Sequence, residues 1–364
     1  MTTGPVAVDG ADLDAIRRAL ASSDTAGGDR SSLRRRPVGL GSIEIRADAL
    51  DALPAAVEAA RDASPRSGDV VVLVDATPMR RGTADLKAEV VTRLRAAHPA
   101  SGGDGPPVRQ VVIGRDRPEL HADEAALAEA DEAIRDAAVA VSVGSGTITD
   151  IAKDATFRAG IPFVVVQTAV SVNAFSDDMA VLLRHGVKRT VPSHWPSALI
   201  VDLEAIAGAP RRMNQAGFGE LMGMFTAPAD WYIANVVGAD GTYDDGVVRL
   251  YRDGADRLLL AADGVAAAEP EALAELARQM TLTGIAMGVA GRTAPLSGTE
   301  HTISHLLDMA AERDGRSVAL HGAQVGVASV VVAIAWARLL RDFEPERLLD
   351  DDGAGADLAD RELR

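Results

Sequence analysis

Residues 297–322, SGTEHTISHLLDMAAERDGRSVALHG, hold three of the chain's seven histidines. His301 and His305 are spaced i,i+4, so on a helix they project one turn apart from the same face. His321 follows a short polar connection, residues 312–316, and precedes Gly322, which opens another apolar run. Imidazole is the commonest metal ligand near neutral pH, and an i,i+4 pair on a helix is one way to present it. The same spacing also fits a polar helix face whose histidines cap or hydrogen bond. The chain has no cysteine, so disulfides and thiolate metal sites are excluded. Any metal must be held by His, Asp or Glu.

A second group lies in residues 143–155, VGSGTITDIAKDA. A strand ends, Gly144 and Gly146 make a tight turn, and a helix begins at Thr147 or Ile148. Backbone amides at such a helix start, free of side-chain bulk, form a cradle for phosphate oxygens. Thr147 adds a hydroxyl, and Asp150 and Lys153 lie on the first turns. The motif is not G-x-G-x-x-G, and glycine here also serves turn geometry alone. Asp75 ends the apolar run DVVVLVD. It is placed either to accept from the ribose hydroxyls of a dinucleotide or to cap a turn.

These groups need a scaffold. With 364 residues, 47% hydrophobic and 25% charged, the chain can bury a sizeable core and fits two domains. A formal charge of −16 argues against nucleic acid as a partner. No run reads as apolar enough to span a bilayer, so no membrane partner is expected. No signal peptide is evident and the expected compartment is the cytoplasm. Residues 1–36 read as a flexible N-terminal arm with a short helix over 11–21. Strands are predicted over 39–46, 69–75, 109–114, 139–143 and 161–167, helices over 50–62, 84–97 and 122–138. Continuous β-branched runs suit strands buried on both faces, and their alternation with helices predicts a doubly wound α/β domain over 37–204. Strands are also predicted over 179–183 and 198–202. Helical periodicity then dominates: 214–235, 245–262, 270–290, 303–312 and 324–341, a helical domain over 205–349. An acidic tail fills 350–364.

The stretches LHADE (120–124), VGSGTITDIAK, GIPFVVVQTAVS, GVKRT, AGFGELMG, Asp230-Trp231, GIAMGVAG, SGTEHTISHLLDM and LHGAQVGV occur in the order seen in the sn-glycerol-1-phosphate dehydrogenase family, which the chain resembles over about residues 38–341. That family is part of the iron-containing alcohol dehydrogenase, glycerol dehydrogenase and dehydroquinate synthase group. The resemblance implies a Rossmann-like NAD(P)-binding domain, a helical domain, and a divalent metal, zinc or iron, in the cleft between them. The implied activity is a metal-dependent NAD(P)H oxidoreductase that interconverts an alcohol and a ketone or aldehyde on a small polyol or its phosphate. Two alternatives stand beside it: a dehydroquinate synthase-like lyase or cyclase, and a family member that only binds nucleotide.

By the resemblance, the metal ligands are Glu220, where the family normally has Asp, with His301 and His321. His305 then lines the substrate pocket for proton relay, or binds metal as well. Gly144, Ser145, Gly146 and Thr147, with Asp150 behind them, match the pyrophosphate turn. Asp75 matches the ribose end, and Thr168 and Ser171 flank the nicotinamide. The chain also departs from the family. Ser171-Val172-Asn173-Ala174 stands for Ser-x-Asp-Gly, so Asn173 takes a pocket position without a charge. Met224 stands where relatives often have Lys, and Thr293-Ala294-Pro295 stands for Ser-Arg-Pro. Of the remaining basic residues Lys188, Arg189, Arg211 and Arg212, Lys188 is the candidate anion binder. Asp75 favours NAD, while Arg80 and Arg81 favour the 2′-phosphate of NADP. A homo-oligomer is compatible with the chain.

Overall fold

The computed structural model describes residues 7–23, 35–97 and 107–342. In chain order the elements are α1 (Leu13–Ser23), β1 (Ser42–Arg46), α2 (Leu53–Asp62), β2 (Asp69–Val74), β3 (Arg80–Arg81), β4 (Ala84–Asp85), α3 (Leu86–Ala97), β5 (Val108–Val112), α4 (Glu124–Ala133), β6 (Ala137–Gly144), α5 (Gly146–Ala159), β7 (Phe163–Gln167), β8 (Met179–Arg184), β9 (Val187–Pro192) and β10 (Ala198–Asp202). The rest is helical: α6 (Leu203–Ala207), α7 (Arg211–Leu221), α8 (Ala227–Val236), α9 (Asp245–Arg252), α10 (Ala255–Leu260), α11 (Ala262–Ala267), α12 (Pro270–Ala290), α13 (Thr299–Arg313) and α14 (His321–Asp342). The chain is thus an α/β Rossmann-like half followed by a helical half.

Six strands form one parallel sheet in the order β1-β10-β7-β6-β2-β5. Its valine runs are continuous because both faces are covered. Val70, Val72, Val74, Val141 and Val166 pack on one side with α2 and α3. Val71, Leu73, Ala140, Val165 and Val201 pack on the other, with α4, α5 and the helical half. Period-2 alternation therefore sends neighbouring residues to two different cores rather than to core and water.

The strand order locates the ligand crevice. From β2 the chain goes to its outer neighbour β5, then crosses to β6 on the other side of β2. Such a reversal opens a crevice at the carboxyl ends of the two strands. Val74 lies opposite Val143, and Gly144 opposite Gln167. Asp75, the Gly144–Gly146 turn and Thr168 therefore leave three adjacent strands at the same edge.

The structure also differs from the sequence reading. Helix α1 buries Ile16 and Leu20 within the core, so this part of the expected arm is packed. The other residues expected in that arm, 1–6 and 24–34, and the acidic tail lie outside the described residues. The single helix expected over 214–235 is interrupted by a 3₁₀ turn at Met222–Phe225. Contrary to the reading that no run could span a bilayer, α14 is long and apolar enough by length and composition. It packs on α7 and α13 through Val325, Ala328 and Val332, and Val327, Val330, Val331 and Ile334 remain exposed.

Candidate metal and nucleotide site

Helices α7 and α14 cross backbone to backbone. A Cβ at Gly219 would lie 2.2 Å from the Gly322 carbonyl, one at Gly322 2.0 Å from the Ala216 carbonyl, and one at Gly326 2.8 Å from Gly219 Cα. Only glycine permits this approach. It brings Glu220, near the end of α7, beside His321, the first residue of α14. Helix α13 packs on α14 and supplies His301 from its first turn.

The three side chains converge. Their ligand atoms all lie within 4.8 Å of one another. Glu220 Oε1 is 3.5 Å from His301 Nε2, and Glu220 Oε2 is 3.6 Å from His321 Nε2. These gaps are too long for good hydrogen bonds. They approach the roughly 3.4 Å that separates two donors each about 2.1 Å from one tetrahedral ion. Glu220 is buried and its Oε2 has no hydrogen-bond partner.

The outer ring nitrogens are occupied. His301 Nδ1 is 2.9 Å from Glu300 Oε1. Glu300 also accepts from the Gly298 amide at 2.6 Å and the Thr226 hydroxyl at 2.7 Å. His321 Nδ1 is 3.0 Å from Ser304 Oγ, which donates to Gln324 Oε1 at 2.7 Å. Engaging Nδ1 turns each Nε2 toward Glu220, the arrangement by which metal-binding histidines are oriented. One carboxylate and two imidazoles without sulfur suit zinc or iron(II), and three protein donors leave coordination positions open.

The electrostatics are those of a mutually charged cluster. Burial alone would raise the Glu220 carboxyl, but His321, His301 and His305 hold it below the usual carboxylate range. Burial opposes charge on His301, yet the facing carboxylates of Glu220 and Glu300 push it up to about 9. Burial depresses His321, against the pull of Glu220. His305 is exposed, with its ring centroid 5.8 Å from that of His321. Its pKa is lowered by desolvation and by His301 and Lys188. It is not part of the three-residue cluster.

Lys188, on β9, reaches α13. Its Nζ donates to Asp308 Oδ2 at 2.6 Å. Asn173 is partly buried against α12, with Nδ2 3.8 Å from Met287 Sδ. Thr168 and Ser171 are buried, and the Thr168 amide donates to the Gly144 carbonyl at 3.1 Å.

At the glycine turn, a Cβ on Gly144 would lie 2.0 Å from Ile148 Cγ2, and one on Gly146 2.7 Å from Val172 Cγ2. Ser145 is the N-cap of α5 and makes no side-chain cap bond. The first-turn amides thus have no side-chain cap from Ser145, and uncapped amides at a helix start are donors of the kind a phosphate accepts from. Asp150 takes a different place from the one expected. It is buried against β8, accepts from the Val181 amide, and has its carboxyl pushed up to about 8 by burial. Behind it the fully buried Lys153 donates to Asp177 Oδ1 at 2.5 Å, the Ala174 carbonyl at 2.7 Å and the Met179 carbonyl at 2.8 Å. Asp75 Oδ1 accepts from the Thr77 amide at 2.9 Å, the turn-capping role. Lys87 Nζ sits 3.7 Å from the same oxygen. Arg81 is committed to Asp202, Asp48 and Glu204.

Glu300, Ser304, Asp308 and Lys87 escaped the sequence reading. The geometric hint for Ser304 and Asp308 was the helix face itself. Ser304 stands one turn from His301, and Asp308 two turns from His301 and one from His305.

The family model for iron-containing alcohol dehydrogenase matches residues 108–210. Over 223 residues the chain is 36% identical to a glycerol-1-phosphate dehydrogenase [NAD(P)+] of Bacillus licheniformis, covering 61% of this chain and 55% of the relative. The corresponding enzyme of Pyrococcus furiosus is 32% identical over 204 residues, covering 55% of this chain and 58% of the relative. The chain thus spans a little over half the length of these relatives. Among solved structures, a glycerol dehydrogenase from Schizosaccharomyces pombe superposes with a TM-score of 0.60 at 17% identity, covering 87% of this chain and 75% of that one. A probable glycerol dehydrogenase from Sinorhizobium meliloti gives 0.59 at 20% identity, covering 81% and 76%. These two likenesses establish the shared fold.

Proposed function

We propose that this chain, a divergent relative of the glycerol-1-phosphate dehydrogenases within the iron-containing alcohol dehydrogenase superfamily, is a metal-dependent NAD(P)-linked oxidoreductase that interconverts an alcohol and a ketone or aldehyde on a small polyol or its phosphate ester. The observation that carries this reading is the convergence of Glu220, His301 and His321, with both outer imidazole nitrogens already engaged.

In this reading those three residues hold a divalent cation, zinc or iron, and the β2–β6 crevice holds NAD or NADP. Bound there, the cation would supply a Lewis acid for the substrate oxygen and the nicotinamide would supply hydride chemistry. The chain's own residues set the stage. Glu300 and Ser304 fix the two imidazole planes. Gly144, Ser145, Gly146 and Thr147 offer backbone to the pyrophosphate, and Thr168 and Ser171 line the next strand end toward the nicotinamide. Lys153 pins the loop carrying Asn173 beneath α5. His305 is neutral at neutral pH and takes or returns a proton at the cleft rim. Lys87 offsets the charge of Asp75, which supports use of both cofactors.

Metal analysis of protein purified without added metal tests the central assignment. Wild type should carry close to one divalent ion per chain. His321→Ala should lose it, by more than the roughly 10–100-fold that removing an outer hydrogen-bond partner costs in affinity. Equal metal content in the two proteins would overturn the site. The chain is also proposed to be a homo-oligomer, a reading supported by the exposed apolar stripe of α14.

A further inference from the structure

A lysine whose charge reaches the candidate metal cluster is already paired. Lys188 is the basic side chain whose field reaches both His305 and His321. Its ammonium is bound to Asp308, whose side chain is only 7% exposed. The other carboxylate oxygen, Oδ1, is buried and has no hydrogen-bond partner. Handing Lys188 to an anionic ligand would strip a buried carboxylate of its counter-charge, which costs far more than breaking a solvated pair. A phosphate entering here would also approach Asp308 itself, a like charge on the same helix face as His301 and His305. In the 3₁₀ turn at Met222–Phe225, the buried Met224 contributes no charge, and Ala294 adds none before α13.

We propose that the Lys188–Asp308 pair is a specificity device that selects an uncharged polyol or hydroxyketone over its phosphate ester. The inference rests on the oxidoreductase reading for its chemistry, but its charge argument is independent of turnover. Asp308 cancels the charge of Lys188, so a neutral hydroxyl-bearing substrate loses nothing on entry while a phosphate would compete with Asp308 for that cation.

The test uses metal-loaded full-length protein and three forms: wild type, Asp308→Asn, and Asp308→Asn combined with Lys188→Met. Calorimetric titration with glycerol-1-phosphate reads binding. Reduction of dihydroxyacetone and dihydroxyacetone phosphate, with NADH and with NADPH, reads selectivity. Wild type should show a higher kcat/KM for dihydroxyacetone. Asp308→Asn should bind glycerol-1-phosphate at least tenfold more tightly, and Lys188→Met should erase that gain. A wild type that prefers the phosphate ester would overturn the inference, as would an Asp308→Asn protein with unaltered phosphate affinity. If neither ketone is reduced yet phosphate binding rises and falls as stated, the charge device stands and the oxidoreductase reading fails.

Discussion

At the scale of single residues, the ring of His194 offers a pH-dependent prediction away from the cluster. It stacks on Phe163 at 5.0 Å and shares a 2.8 Å hydrogen bond with Thr156. Burial, with Lys153 nearby, pushes its pKa down to about 4 from an ordinary 6.5. The folded chain therefore holds this ring neutral while the unfolded chain protonates it below 6.5. Stability is lost as pH falls from 6.5 toward 4, by about 2 kcal/mol between pH 7 and pH 5. Urea unfolding at those two pH values should show that loss in wild type and a shallower loss in His194→Gln. The same slope in both would mean the ring titrates freely in the fold. Residue by residue, the histidines stood out because they are rare and His301 and His305 share a helix face, whereas the set of Glu220, His301 and His321 came from the family resemblance. Glu300 and Ser304 were not, since they act through other side chains and a Glu or Ser on a helix is unremarkable in a string. Asp150 was misread because sequence position gives its turn on α5, not the direction its carboxylate takes.

At the scale of elements, the α7–α14 crossing is the feature with the sharpest consequence. Gly322→Ala touches no ligand atom, yet its Cβ would meet the Ala216 carbonyl at 2.0 Å and Glu220 Cβ at 3.1 Å. The helices must part, at an overpacking cost of about 1–3 kcal/mol. Metal affinity should drop by roughly 10–100-fold, as when a supporting contact is lost. Atomic-absorption metal content and thermal melts on one preparation measure both effects; an unchanged metal content would show that the crossing does not set the site. Elements buried on both sides were the easiest to read, and the valine runs of β2, β6 and β7 announced the sheet. The β8–β9 hairpin was read only in its first strand. β9 is largely exposed, so VKRTVP carries no burial signature. The break at residues 222–225 was hidden because its apolar residues continue the helical pattern.

At the scale of the whole molecule, the two halves share a core rather than merely touching. Leu199 and Val201 of the sheet belong to one cluster with Leu276, Ile285 and Val289 of α12. What that core leaves uncovered is the outer stripe of α14, where Val327 is 70% and Val330 59% exposed, and on α13 Leu306 and Met309 are exposed as well. Where exposed apolar side chains form a patch, association is expected. Light scattering after gel filtration should give a mass of at least two chains. Val327→Glu with Val330→Glu should shift it to one, with metal content retained. A monomeric wild type would remove the homo-oligomer. The glycine contact between α7 and α14 has one more implication, for descent. Where two backbones already touch, a glycine has no room to change, so departures from the family pattern fall on side chains around that contact, at positions such as 173, 224 and 294. A lineage built this way can change its diet while its chemistry stays inherited.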